Sequence, residues 1–187
     1  MSSIVVSFAT GASSTGEFLT VTSPIGEEND ITVTPTGERS NTPFTVVGGG
    51  LNDSIDLSDD GIVGDATVLG LSGNDTIMGG AGDDFIDGGE GNDTIMGGMG
   101  ADIIKGGGGN DVFEFASDDF MSGNMDLIAD FDAEDGDRIT LMGVSDRPSY
   151  DSGTGLVSVD GEEVIDIGRG LEGVEIEQDD DGNWEIF

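Results

Sequence analysis

The chain of 187 residues has no cysteine and no histidine, and five Lys and Arg stand against 40 Asp and Glu, a formal net charge of −35. Each shortage excludes something. Without Cys or His there is no Cys/His zinc site, no Ser-His-Asp triad, no His-Glu-x-x-His protease motif and no disulfide framework. The missing cysteines leave the compartment open, because they suit a cytosolic chain and equally a secreted one that uses metal in place of disulfides. Five scattered basic residues do not form the clustered patch that binding to nucleic-acid phosphates requires, and they disfavour adhesion to an anionic membrane. No apolar run approaches the roughly 18 residues of a membrane span, so no membrane insertion is expected. The opening segment, Met1 to Phe8, lacks a basic n-region and a long apolar stretch, so it is not read as a Sec signal.

Charge this one-sided usually accompanies disorder. Here Leu, Ile, Val and Phe together fill about a quarter of the chain, above the roughly 20% below which highly charged chains stay unfolded. Glycine occupies 34 positions, far above its usual share of about 7%. A chain that is acidic, glycine-rich and Ile/Val-rich needs something to neutralise its carboxylates, and Ca²⁺, which takes all-oxygen ligands, is the natural candidate.

Three regions follow along the chain. Residues 1–47 hold short β-branched runs, at 4–8, 18–22, 30–34 and 43–47, separated by Gly, Pro, Asn and Ser; they predict four strands forming a small sheet or an N-terminal cap. Residues 48–114 repeat every nine residues. Residues 115–187 also read as β, a C-terminal cap. Within it 155–159 and 163–167 flank Asp160-Gly161 as a hairpin, 126–131 and 138–141 flank an acidic turn, and 174–177 and 184–187 flank Asp179 to Asn183. That last acidic run lacks the alternating acids and final Glu of an EF-hand loop and is read as a solvated turn.

The nonapeptide blocks are 48–56, 61–69, 70–78, 79–87, 88–96, 97–105 and 106–114, with Leu57 to Asp60 interrupting after the first. Glycine at positions 1, 2 and 4 suits positive φ and close backbone approach. Asp at position 6 ends the turn and presents a carboxylate. Position 8 is apolar throughout: Ile55, Val68, Ile77, Ile86, Ile95, Ile104 and Phe113. A six-residue turn followed by a three-residue strand with one inward side chain predicts an all-β coil around a column of stacked aliphatics. Outward, Thr76/Met78 should lie beside Thr94/Met96, and Phe85 beside Ile103.

This pattern, strongest over 70–114, resembles the calcium-binding nonapeptide repeat of RTX (hemolysin-type) proteins. The resemblance implies a right-handed parallel β-roll over 48–114, flanked by the short strand regions 1–47 and 115–187. It implies Ca²⁺ between turns on the same side, held by position-6 carboxylates and turn carbonyls. Asp75, Asp93 and Asp111 then line one side and Asp84 and Asp102 the other, with turn carbonyls from Gly73, Gly82, Gly91, Gly100 and Gly109. Asp53 would extend the first side, although the interruption after its block is expected to disturb the register. Ala66 stands where block 61–69 should have its Asp, which puts a site beside Asp84 in doubt. Roughly three to five ions are implied. Asp126-Leu-Ile-Ala-Asp-Phe131 and Asp137-Arg-Ile-Thr-Leu141 resemble the segment that follows the rolls in serralysin-type RTX proteins. There Asp130 and Asp137 either cap the last Ca²⁺ layer or simply face solvent.

Carboxylates stacked about 4.8 Å apart repel by roughly 3 kcal/mol per pair at an effective dielectric near 20. The roll is therefore expected to unfold without Ca²⁺, with binding and folding coupled. Such proteins leave the cell by type I secretion through an uncleaved C-terminal signal, which Glu185-Ile-Phe187 weakly matches. With 40 acids, paired carboxylates arise by chance, so no catalysis is read. Because the chain starts at Met1 and leaves no room for an effector domain, the roll and its flanks are expected to be the whole product. The functional expectation is a secreted, calcium-binding structural protein that self-assembles as a homo-oligomer or polymer: a filament, surface layer or adhesive matrix. The alternatives are an adhesin for carbohydrate or ice, with a cell-surface or polysaccharide partner, and a folding module of a larger secreted enzyme. Trp184 and Tyr150 alone make a poor sugar platform, and three position-7 threonines split between sides make a poor ice-binding face.

Overall fold

A short strand after each glycine turn places one aliphatic inward and two side chains outward, and stacking such turns buries the inward column. A computed structural model shows this arrangement. It describes residues 2–9, 19–22, 29–36, 43–58, 63–122, 124–169, 171 and 174–187. Among the described residues two nine-stranded sheets face each other, and the first thirteen strands alternate strictly between them.

The first sheet contains β1 (Ser2–Ala9), β3 (Asn29–Thr36), β5 (Ser54–Asp56), β7 (Thr76–Ala81), β9 (Thr94–Met99), β11 (Val112–Ala116) and β13 (Arg138–Met142), in that order and all parallel. It ends in the antiparallel pair β18 (Trp184–Ile186) and β17 (Ile176–Gln178). The second sheet runs from β2 (Leu19–Thr22) through β4 (Phe44–Gly49), β6 (Ala66–Ser72), β8 (Phe85–Glu90), β10 (Ile103–Gly108) and β12 (Asp126–Ile128) to β16 (Glu162–Asp166), again parallel. It closes with β15 (Leu156–Val159) and β14 (Ser149–Asp151), both antiparallel. The expected all-β parallel roll is thus present.

The core follows position 8. Ile55, Ile77, Ile95 and Phe113 stack on the first sheet, Val68, Ile86 and Ile104 on the second, all fully buried. Register carries these columns onward to Ile139 and Ile128, and back to Val46. In residues 1–47 β1 pairs with β3 and β2 with β4, and these two pairs extend the roll's two sheets, β3 on β5 and β4 on β6. The outward pairs expected from the repeat are also present, with Thr76 beside Thr94, Met78 beside Met96 and Phe85 beside Ile103.

One expectation is corrected. The interruption after block 48–56 leaves the register intact: Ser54, Ile55 and Asp56 pair in order with Thr76, Ile77 and Met78. Leu57 turns inward and is fully buried, so the extra chain begins with a core residue. Residues 59–62, the end of that interruption and the start of the next block, lie outside the described residues. The segments 126–131 and 138–141 flank the acidic turn 132–137, which crosses from β12 in the second sheet to β13 in the first. The other two turns do close hairpins. Asp160 and Gly161 both take positive φ, 55° and 87°, as a two-residue turn matched to strand twist requires. Asp179 accepts the N–H groups of Asp181 and Asn183 at 2.9 and 2.8 Å at the other. Among the described residues no helix is long and apolar enough to cross a membrane.

A column this well filled tolerates little truncation. Ile95→Ala is expected to cost about 2–5 kcal/mol in denaturant unfolding, while Ile103→Ala, at an outward and 43% exposed position, should cost far less. Equal losses at the two sites would contradict the inward assignment of position 8.

Candidate metal centre

The turn glycines determine what the position-6 carboxylates can do. Position-4 glycines Gly73, Gly82, Gly91, Gly100 and Gly109 have φ between +122° and +148°, a region closed to most side chains. The carbonyl oxygens of Gly73, Gly82 and Gly91 lie directly against Gly91, Gly100 and Gly109, where a Cβ would strike them. Position 1 needs glycine for a different reason from the one expected. Gly70, Gly79, Gly88, Gly97 and Gly106 are absent from the positive-φ set; each instead leaves room for the carboxylate of the following position-6 Asp, whose Oδ2 sits where a Cβ would be.

Those aspartates form two rows of buried rungs. Asp75, Asp84, Asp93, Asp102 and Asp111 are all 1–2% exposed. In each, Oδ1 accepts the backbone N–H of the rung residue one turn earlier. On one side Asp53 N–H donates to Asp75 at 2.8 Å, Asp75 to Asp93 at 2.7 Å and Asp93 to Asp111 at 2.8 Å. On the other side Ala66 N–H donates to Asp84 at 2.7 Å and Asp84 to Asp102 at 2.9 Å. Asp137 continues the first row by accepting from Asp111 at 3.0 Å. Asp53 is buried at its start. Ala66 ends the second row, since it has no carboxylate to reach further. Asp130 stands apart from both: it is exposed, and its oxygens accept the N–H groups of Gly106 and Gly107 at 3.0 and 3.1 Å.

Two features went unread in the sequence. Asp126 is a rung, accepting the N–H of Asp102 at 2.8 Å, and is 2% exposed. The signal for it is the triplet Asp126-Leu127-Ile128, which reproduces positions 6 to 8. Position 5, treated as variable, carries a second, outer ladder: Asn74, Asn92 and Asn110 N–H groups donate to the Oδ1 atoms of Asn52, Asn74 and Asn92 at 2.9–3.0 Å. On the opposite side Asp65 and Asp83 play this part.

The inner rows are incomplete as they stand. The Oδ2 atoms of Asp75, Asp84, Asp93, Asp102 and Asp111 are buried and have no hydrogen-bond partner. A buried anionic oxygen without a partner is strongly unfavourable. No cationic side chain offsets it: the ion pair found among the described residues, Arg138 with Glu185, is on the surface. Burial therefore raises the carboxyl pKa values, to about 6 for Asp75 and Asp93, about 7 for Asp84 and about 8 for Asp102, partly countered by the N–H each accepts and reinforced by neighbouring acids. Asp126 and Asp137 rise to about 6 for the same reason. Among the described residues no three acidic side chains converge on one point. A cation in these rows would thus be held by at most two carboxylates together with backbone carbonyls, an all-oxygen set of the kind that hard cations such as Ca²⁺ take.

The family model of the RTX calcium-binding nonapeptide repeat, four copies of the repeat long, matches residues 60–95, 69–104 and 87–119. The stretch 60–119 is therefore similar to the RTX calcium-binding repeat. The match ends before the C-terminal segment that resembles the serralysin type. No curated protein and no solved structure matches the chain.

Protonation is the alternative to a cation, and it fixes the pH response of the metal-free roll. The rung carboxyls lie above the ordinary 3.8 in the folded chain, so folding takes up protons. Their contribution to stability is full below about pH 4 and is lost as pH rises through about 6 to 8. In excess chelator, circular dichroism should show β content falling over that span; a flat profile would count against buried, unpartnered rungs.

Proposed function

We propose that the protein is a secreted, calcium-binding structural protein whose roll folds around Ca²⁺ outside the cell and then assembles with further copies into a filament, surface layer or matrix. The observation that carries the calcium part is the row of buried carboxylate oxygens that lack any protein partner. The rungs Asp75, Asp93 and Asp111 would hold ions on one side and Asp84 and Asp102 on the other, aided by the carbonyls of Gly73, Gly82, Gly91, Gly100 and Gly109. Asp53 and Asp137 would extend the first row and Asp126 the second. When bound, Ca²⁺ supplies positive charge beside Oδ2; the chain supplies the spacing, the dryness and the Oδ1 anchor. RTX repeats are structural calcium-binding elements, and this reading gives the chain no catalytic step.

Location follows from affinity. Sites built from few carboxylates bind weakly, in the range that suits extracellular millimolar Ca²⁺ and leaves a cytosolic chain unliganded. An unfolded, highly charged chain suits export by type I secretion, with folding on arrival. For assembly, the support is the outer face of the first sheet, where Met78 and Met96 lie side by side and half-buried on an otherwise acidic molecule.

Light scattering and electron microscopy, each with Ca²⁺ and with chelator, test this. Calcium-dependent particles larger than a monomer are expected, reduced when Met78 and Met96 are both replaced by Lys. Only monomer across physiological Ca²⁺ would remove the assembly reading while leaving calcium binding standing.

A further inference from the structure

The two ends of the roll are built differently. At the C-terminal end the outermost strands, β17 and β14, are three residues each, and both carry an acid, Glu177 and Asp151. Arg147 donates to the Ile176 carbonyl of β17 at 3.1 Å, so a side chain occupies an edge carbonyl. Short strands, charge and occupied carbonyls keep a sheet edge from pairing. At the N-terminal end the outermost strand of the first sheet is β1, eight residues long and paired on one side alone among the described residues. It contains no Pro, no Gly and no charged residue. Every second residue of such a strand turns its N–H and C=O away from its neighbour, which makes the edge a template for another strand.

Charge and register say what fits this edge. All 40 acids lie from Glu17 onward, and residues 1–16 carry no charged side chain, so two strongly acidic copies meet at β1 without setting acid against acid. By register the position-8 column runs back from Ile77 through Ile55 and Ile31 to Ile4, its last member, with Val6 beside Val33. We propose that β1 pairs antiparallel with β1 of a second copy about a two-fold axis. The first sheets of the two copies then become one, with the Ile4, Val6 and Phe8 set of one copy in register with that of the other. Antiparallel pairing makes an edge strand its own complement, so the same eight residues supply both sides, and a contact of this symmetry closes at two chains. It rests on the assembly reading in requiring that copies meet, and differs from it in surface, since Met78 and Met96 lie on the outer face of the sheet and β1 at its end.

Light scattering with Ca²⁺ present, on a Met78→Lys/Met96→Lys background that takes the outer face out of play, tests it. Particles of two chains are expected at micromolar concentration. Val5 and Ser7 alternate with the Ile4 set and stand in register with Thr32 and Thr34. Val5→Glu/Ser7→Glu should therefore give single chains, because like charges face each other across the pairing, and Val5→Lys/Ser7→Lys should do the same. An equimolar mixture of the Glu and Lys forms should restore two-chain particles, each form binding the other at least about tenfold more tightly than itself. Substitutions that merely unfolded β1 would not be rescued by mixing. The proposal is overturned if the background protein is a single chain throughout, if the Glu form stays paired, or if the mixture remains single chains. Larger particles in the parent with single chains on this background would remove the β1 contact and leave the assembly reading. Two-chain particles in both would leave the β1 contact and remove growth into a filament.

Discussion

One pairing organises this molecule: the backbone N–H of each rung residue donates to the carboxylate of the rung one turn later. It fixes the turn-to-turn spacing at the point where each glycine loop becomes a strand. It also buries the carboxylate and occupies only one of its oxygens. The glycine at position 1 follows from this, because the second oxygen needs the space a Cβ would fill. So does the need for neutralisation, by a proton or by a cation, because that oxygen has no protein partner. Hydrophobic burial of the position-8 column favours the coil at any pH, whereas the rungs favour it only when their charge is neutralised.

The net charge of −35 then separates into two parts. The rungs are buried and regularly spaced, the proposed ligands of Ca²⁺. Among the described residues most of the other acids are exposed, and 21 of the chain's 40 acids lie after Glu114. Those keep the chain soluble when unfolded. Acidity that elsewhere signals disorder is here coupled to folding, because the apolar column is long enough to gain from collapse once the rungs are satisfied.

Much of this was legible in the sequence, for physical reasons particular to each feature. Position 8 stood out because one inward side chain per strand must stay apolar, and Ile77, Ile86, Ile95 and Ile104 did. Position 6 stood out because Asp75 to Asp111 recur every nine residues. Asp126 did not, because spacing fails at the ends: paired rungs lie 18 residues apart inside the repeat but 24 and 26 apart at Asp102/Asp126 and Asp111/Asp137. The hydrogen bond tolerates any loop length that returns the chain to register, and a search for a fixed period does not. The position-5 ladder was hidden because Asn and Asp alternate with the two sides, a period of two blocks. Residues 1–47 do not carry the nonapeptide repeat, so nothing local in them indicated that their strands join the roll's sheets.

The central claim is that the rung network forms only when its buried carboxylates are neutralised. Residue-resolved hydrogen exchange at neutral pH addresses it at the bonds concerned. The backbone N–H groups of Ala66, Asp75, Asp84, Asp93 and Asp102 should be strongly protected together in millimolar Ca²⁺ and exchange freely in excess chelator. Equal protection of these amides in both conditions would contradict the account.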